Sequence, residues 1–284
     1  MAEPVLEVID PGMSTTVQDA GRPGYAHLGV PRSGALDQPA LRLANRLIGN
    51  AEGEAGLETL LTGVRLRALG SCRVAVTGAQ APVTVAGRAV AWGTAVSVPA
   101  GAEIVVGTAL RGLRSYLAVA GGIAVDPVLG SRSTDQLSGL GPAPLVAGDL
   151  LPVGVPAAAP VEATAFPDVT RRELHLDLGP RADWFTDDAV AALDGAGYEV
   201  GAASNRIGLR LSGAPIQRAR TGELPTEPMV LGAVQVPPNG QPVVFLADHP
   251  TTGGYPVIAV VRGADLPVCA QARPGDRLTL RVLA

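Results

Sequence analysis

Thirty-six glycines and 25 prolines punctuate this chain of 284 residues, leaving between them only short runs of β-branched and aliphatic side chains. Proline cannot continue a helix or a central strand, and glycine weakens either one. Long uninterrupted elements therefore find little room. The sequence predicts a mainly β protein with a few short helices. Candidate strands lie at 65–68, 72–77, 95–98, 103–106, 115–119, 173–178, 242–246, 257–261 and 277–282, most bracketed by glycine or proline. The last alternates Arg277, Leu278, Thr279, Leu280, Arg281 and Val282, which sends apolar side chains to one face. Strands this short, about 8–12 residues apart, point to a barrel or a sandwich.

Two segments carry helix signals. Asp37 is an N-cap candidate, Pro39 suits a first turn, Leu41, Ala44 and Ile48 share a face, and Gly49 stops the run. Thr186 caps the second, with Asp187 and Asp188 where the helix dipole favours acids. Length suggests about two domains. The break falls in the Pro/Ala-rich stretch PVGVPAAAPVEATAFP at 152–167, a semi-rigid connector between a β-rich domain at 1–151 and a second at 168–284.

Composition excludes several functions. A formal charge of −4 and a pI of about 5.4 leave no basic surface for a phosphate backbone, which argues against nucleic acid as partner. No apolar run approaches the roughly 18 residues of a membrane span. The start MAEPVLEVIDPG lacks a basic region before an apolar one, so a cytoplasmic location is expected. All 22 basic residues are arginine. Within this chain that excludes a P-loop lysine, a Schiff-base lysine and a lysine carrying biotin, so no covalently bound cofactor is expected on it. Cys72 and Cys269 sit in apolar runs and read as buried, unpaired thiols. His27, His175 and His249 are scattered, and no spacing suggests a metal site.

Three stretches carry polar chemistry. Thr16 to Asp37 gathers Gln18, Asp19, Arg22, Tyr25, His27, Arg32, Ser33 and Asp37 in a loop feeding a helix. Such a loop presents backbone N–H groups and arginine to an anion, or satisfies its own backbone with Asp37 as a cap. The second, Gly232 to Pro256, turns at Pro-Asn-Gly, so its flanks form a hairpin, and it ends in Asp248-His249-Pro-Thr-Thr-Gly-Gly-Tyr255. That ending offers an acid–base pair and a close backbone approach to a ligand, or a tight turn whose backbone Asp248 satisfies. The third, Tyr116 to Ile123 followed by Leu129-Gly-Ser-Arg-Ser-Thr-Asp135, offers hydroxyls and Arg132 to a phosphate but fits neither a Walker nor a Rossmann motif.

The ordered set TVQDAGRPGYAHLGVPRSGALD, LAVAGGI, LGSRSTD, SNRIGLRLSG, GAVQVPPNGQPVVFLAD and TTGGYPVIAVV resembles the family that comprises the 5-oxoprolinase C subunit, KipA and allophanate hydrolase subunit 2, from about Val8 to about Leu283. Two places depart from its pattern. Thr226-Glu-Pro228 stands where Ser-Glu-Gly is commoner, and Gly139-Leu-Gly-Pro142 where a glycine pair and an arginine often follow. The resemblance implies two cyclophilin-like β-barrel domains, a KipI-like partner (the 5-oxoprolinase B subunit) and the separate 5-oxoprolinase A subunit. Together these cleave 5-oxo-L-proline to L-glutamate with ATP. Its alternatives are a carboxyltransferase subunit of a urea-carboxylase-like biotin system, or a non-catalytic KipA-type antagonist of a KipI-like kinase inhibitor.

Under the first of these, Arg22 and Arg32 are expected to bind anionic groups, Ser33 to act beside them, and Asp37 and Asp248 to orient or accept a proton, with His249 as a further base. Gln18, Asp19, Tyr25, Gln235, Thr251, Thr252, Gly253, Gly254 and Tyr255 are expected to bind substrate or nucleotide. The first and last loops are expected to converge on one cleft.

Overall fold

The computed structural model describes residues 5–157, 159–160, 166–222 and 224–283. Residues 158 and 161–165 of the expected connector lie outside the described residues. The chain is mainly β with three short α-helices and forms two compact units. The first comprises Met1–Arg22, Ser33–Asp135 and Gly139–Val169; the second comprises Pro23–Arg32, Gln136–Ser138 and Thr170–Ala284.

In the first unit one sheet runs in the order Leu150–Pro152, Val5–Asp10, Arg65–Ala68, Glu103–Val106, Val83–Val85 and Arg88–Val90. The other runs Thr15–Gln18, Gly56–Leu60, Arg111–Val119, Cys72–Gln80 and Val96–Val98. Leu6, Val8, Leu66 and Ile104 of the first sheet share a core with Val17, Leu57, Val74, Val76, Leu117 and Val119 of the second. Helix α1, Gln38–Ile48, lays Leu43, Ala44, Leu47 and Ile48 against Ala75, Ala118 and Ala120. The five-stranded sheet is therefore covered on both faces. That explains why its central strands read as continuous apolar runs, with large side chains toward the other sheet and alanines toward the helix. Gly78 sits at φ +77° in a register shift, where a Cβ would meet the Arg114 carbonyl oxygen at 2.6 Å.

The second unit holds the closed barrel, in the order Glu173–Leu178, Val257–Val261, Ala233–Gln235, Val243–Phe245, Gly208–Ser212, Gly197–Val200 and Arg277–Val282. Leu174, Leu176, Leu209, Leu211, Leu278 and Leu280 are buried at alternate positions, as the period-two pattern requires. Closure rests on a parallel pairing of Glu173–Leu178 with Arg277–Val282. The expected hairpin is present, with Val234 opposite Val244. Helix α2 (Asp187–Ala191) has its expected cap, since Thr186 Oγ1 accepts from Ala189 N–H. Helix α3 (Leu266–Gln271) carries no strong sequence signal: it is six residues long with Pro267 in its first turn. Of the two barrels expected, one is closed, while the strands of the first unit form two facing sheets.

Candidate functional site

The loop after Thr15–Gln18 is organised around Asp19. Its Oδ1 accepts from the Ser131 and Ser133 hydroxyls at 2.6 and 2.5 Å and from Gly21 N–H at 2.7 Å, and its Oδ2 accepts from Arg132 N–H at 2.6 Å. The hydroxyls read from the sequence as a phosphate cradle are thus spent on a carboxylate. Arg132 turns its Nε to the Val125 carbonyl.

Arg22 follows and is only 1% exposed, so its guanidinium is enclosed. Nη2 donates to the Ser133 carbonyl, Nε reaches the Val128 carbonyl at 3.4 Å, and Nη1 stands 3.9 Å from Asp135 Oδ2. Gly141, at φ +80°, allows this approach, since a Cβ there would collide with the Ser133 carbonyl oxygen and lie 3.1 Å from Arg22 Nη2. The Thr134 carbonyl accepts from Gln18 Nε2 and from Ser33 Oγ, each at 3.0 Å. Ser33 adopts φ 53°, a left-handed conformation unusual for a residue with a Cβ. Gln18 Oε1, Arg22 Nη1 and Thr134 Oγ1 are buried here without a hydrogen-bond partner. Unmatched buried polar atoms are costly, and three of them gather in this one place.

Asp37 is confirmed as the α1 cap, its Oδ1 accepting from Ala40 N–H at 3.0 Å. A group that the sequence reading missed holds it in place. The buried Tyr116 hydroxyl accepts from Asp37 N–H and donates to Glu58 Oε2, both at 2.8 Å. Glu58 Oε2 also accepts from Leu36 N–H, and Arg114 Nε lies 3.5 Å from Oε1. Burial, followed by the negative charges of Glu58 and Asp37, pushes the Tyr116 phenol well above its ordinary range, so it remains a proton donor.

In the second unit, Asp248 is fully buried and gripped by Arg206, with Nε to Oδ2 at 2.9 Å and Nη2 to Oδ1 at 3.0 Å; Gln136 N–H adds a bond at 3.2 Å. Arg206 lies in the SNRIGLRLSG motif but was not among the expected site residues. His249 stacks on Phe245, and its Nδ1 lies 2.7 Å from the Pro250 carbonyl. Nδ1 must carry the proton for that bond, which leaves Nε2 as the basic nitrogen. Burial lowers the His249 pKa, against the opposing pull of the Pro250 carbonyl and the Asp248 charge.

Beyond it, Thr252–Gly253 pairs with Glu227–Pro228, and Met229 N–H donates to the Thr251 carbonyl. Glu227, within the departing Thr-Glu-Pro, is held by both Nε and Nη2 of Arg181. Gln235 Nε2 donates to the Tyr255 carbonyl at 3.0 Å, and the half-exposed Tyr255 ring lies 5.9 Å from the Arg218 guanidinium. Thr252, Gly254 and Tyr255 are exposed, while Thr251 and Gly253 are partly so. Arg32 is exposed, and among the described residues no carboxylate pairs with it.

The first loop is thus divided. Gln18, Asp19, Arg22, Ser33 and Asp37 belong to the first unit, whereas Tyr25 and Arg32 belong to the second, which also holds Gln235 and residues 248–255. The structure brings Gln18, Asp19, Arg22 and Ser33 together through residues 131–134, and ties Gln235 to Tyr255. Among the described residues no group of three or more His, Cys, Asp or Glu side chains is placed to hold a metal ion. No helix among them is long and apolar enough to cross a membrane.

Comparison with known proteins bears on this arrangement. Residues 28–282 match the family described as carboxyltransferase domain, subdomain A and B. The chain is 38% identical over 276 residues to the 5-oxoprolinase C subunit of Escherichia coli (strain K12), covering 96% of this chain and 89% of that protein. The crystal structure of TTHA0988 superposes with a TM-score of 0.89 at 37% identity, covering all of this chain; this chain spans 56% of that one. The K. lactis urea amidolyase structure superposes with a TM-score of 0.93 at 30% identity, of which this chain spans 19%. The chain therefore belongs to the carboxyltransferase A/B domain family, and within it stands among the homologues of the 5-oxoprolinase C subunit.

Proposed function

We propose that this chain is the C subunit of an ATP-dependent 5-oxoprolinase, opening 5-oxo-L-proline to L-glutamate with the KipI-like B subunit and the A subunit of that enzyme. Reciprocal coverage carries the reading. The likeness to the E. coli protein takes in nearly the whole of both chains, whereas in K. lactis urea amidolyase the matching part is 19% of a much longer chain. As part of the same reading, both units are cyclophilin-like domains.

A lactam carbonyl is a poor electrophile. Transfer of a phosphoryl group from ATP to its oxygen makes the carbon attackable, and the charge that develops calls for fixed cations and donors. Arg32, exposed and paired with no carboxylate among the described residues, is the arm for the anionic group, with Tyr25 seven positions before it. Thr251, Thr252 and Tyr255 contribute hydroxyls, and Gly253 and Gly254 their backbone, while Gln235 steadies the turn through Tyr255. His249 accepts a proton at Nε2, because its lowered pKa keeps the ring neutral near pH 7. Asp248, locked to Arg206, orients rather than accepts. Gln18, Asp19 and Arg22 hold the frame in which Ser33 and Asp37 are presented.

The test is ATP-dependent glutamate release by the chain reconstituted with its two partner proteins. Arg32→Ala should lower kcat by about 10²-fold, the typical cost of removing one charge-stabilising donor. Normal turnover by that variant would remove Arg32 from the site, and absence of glutamate release from the wild-type assembly would overturn the reading. The TM-score of 0.93 to urea amidolyase favours a second reading, a carboxyltransferase acting on a urea-like substrate. Since these 284 residues contain no lysine, biotin would then be carried outside them. Transfer of the carboxyl group from carboxybiotin to urea, giving biotin and N-carboxyurea without glutamate release, would select it.

A further inference from the structure

At one edge of the five-stranded sheet, Cys72–Gln80 meets the edge strand Val96–Val98, with Arg73 registered opposite Ser97 and Cys72 opposite Val98. A cleft of 540 Å³ opens there, lined by Ser71, Cys72, Arg73, Ser97, Val98, Pro99, Ala120 and Pro156. Its size falls in the range of about 300–1,000 Å³ that small-molecule sites occupy. None of the residues discussed above as the candidate site contributes to it, and the oxoprolinase reading does not use it.

The lining divides by chemistry. Pro99 and Pro156 provide exposed apolar wall, Val98 and Ala120 border the cleft as buried core residues, and Ser71 and Ser97 provide hydroxyls. The Ser71 oxygen already accepts from Ala100 N–H, which leaves its own O–H to donate. Arg73 is the one cationic side chain of the lining, its Nε is buried without a hydrogen-bond partner, and no carboxylate among the described residues pairs with it. By contrast Arg67, on the six-stranded sheet, spends its guanidinium on both Glu7 and Glu103. An unpaired guanidinium beside hydroxyls and apolar wall suits a planar, two-oxygen anionic group on a short hydrocarbon body.

We propose that this cleft is a binding site for a small organic anion, with a carboxylate or phosphate held by the Arg73 fork and the Ser71 and Ser97 hydroxyls, and the carbon skeleton against Pro99 and Pro156. The site is independent of the proposed lactam chemistry, so it stands or falls on its own experiment.

The chain supplies its own reporter. Cys72 lines the cleft and is half-buried, while Cys269 is fully enclosed. Burial pushes the Cys72 thiol up to about 11 and the Cys269 thiol to about 12, so both react slowly with N-ethylmaleimide and only Cys72 reacts in the folded protein. Labelling of the full chain is followed by mass spectrometry at fixed ionic strength with increasing phosphate in one arm and propionate in the other, and chloride as control. Occupancy should slow Cys72 labelling severalfold and saturably, and the arm that saturates at lower concentration identifies the class of head group. Arg73→Gln should abolish protection, and Arg73→Lys, which keeps charge but loses the fork, should retain only part of it. Unlabelled Cys269 certifies that each variant is folded. Calorimetric titration with the same two anions reads binding without Cys72. No saturable heat together with no protection, equal protection by chloride, or protection that persists in Arg73→Gln would overturn the proposal.

Discussion

Asp19 in the first unit and Asp248 in the second are both buried carboxylates in loops that follow a strand, yet they are satisfied by different physics. Asp248 has its charge met by a bidentate guanidinium, with Gln136 N–H as a supplement. Asp19 has no ion pair among the described residues. Two hydroxyls and two backbone N–H groups hold it, while the adjacent Arg22 turns toward carbonyl oxygens. Dipoles can serve a neutral side chain almost as well as a charged one, but a buried guanidinium cannot lose its counter-charge cheaply. The two sites should therefore answer differently to the loss of a single negative charge.

The largest effect is expected at the ion pair. Asp248→Ala removes the bidentate partner of the buried Arg206 guanidinium, at a cost of about 3–5 kcal/mol, read as a fall in the urea unfolding midpoint at constant slope. Replacing both partners by aliphatic residues should cost less than Asp248→Ala alone, because the buried guanidinium leaves together with its bidentate carboxylate. Asp19→Asn comes next. It keeps one acceptor oxygen but turns an NH2 toward donors, losing about 1–3 kcal/mol. If Asp19→Asn proved as costly as Asp248→Ala, the distinction between charge-matched and dipole-matched carboxylates would fail.

The same contrast explains what was legible in the sequence. Strands at 65–68, 103–106, 173–178, 257–261 and 277–282 have the bounds read from their flanking glycines, prolines and alternation. The strand expected at 72–77 runs on to Gln80 because Gly78 supports a bulge there instead of an end. Val5–Asp10 and Thr15–Gln18 were not anticipated, since each is short and defined by partners distant in sequence. The candidate site is harder still. Asp19 meets Ser131 across 112 positions, Tyr116 meets Glu58 across 58, and Arg206 meets Asp248 across 42. Residue types are visible in a sequence; which hydroxyl or guanidinium faces which carboxylate is decided by topology. That is why the Ser131–Ser133 hydroxyls read as a phosphate cradle and Arg206 drew no notice.

Smaller differences separate the two helix caps. Asp37 is buried, bonded to Ala40 N–H, and tied through its own N–H to Tyr116 and hence to Glu58. Asp37→Ala should cost about 1–2 kcal/mol, at the upper end for an N-cap. Thr186 caps only the five residues of α2, none of them buried, so Thr186→Ala should cost about 0.5 kcal/mol. Equal losses in thermal unfolding would show that the burial of Asp37 and the greater length of α1 add nothing to the worth of its cap.

The smallest effect is a pH dependence in the second unit. The pKa of His249 is lowered in the folded protein, first by burial, from an ordinary value of 6.5. A depressed folded pKa means that the unfolded chain takes up the proton more readily. The contribution of His249 to stability is therefore complete above pH 6.5 and declines as the pH falls through the interval down to the folded pKa. His249→Gln should flatten that part of the stability–pH curve, measured by urea unfolding between pH 7 and about 5. Arg206 sharpens the test. While it neutralises Asp248, the carboxylate exerts only a weak upward pull on the imidazole; in Arg206→Gln that pull is unmasked. The His249 resonance in an NMR titration should then move to higher pKa, with a shallower loss of stability in acid. An unchanged His249 titration in Arg206→Gln would mean that the Asp248 charge is screened from the imidazole by something other than its arginine partner.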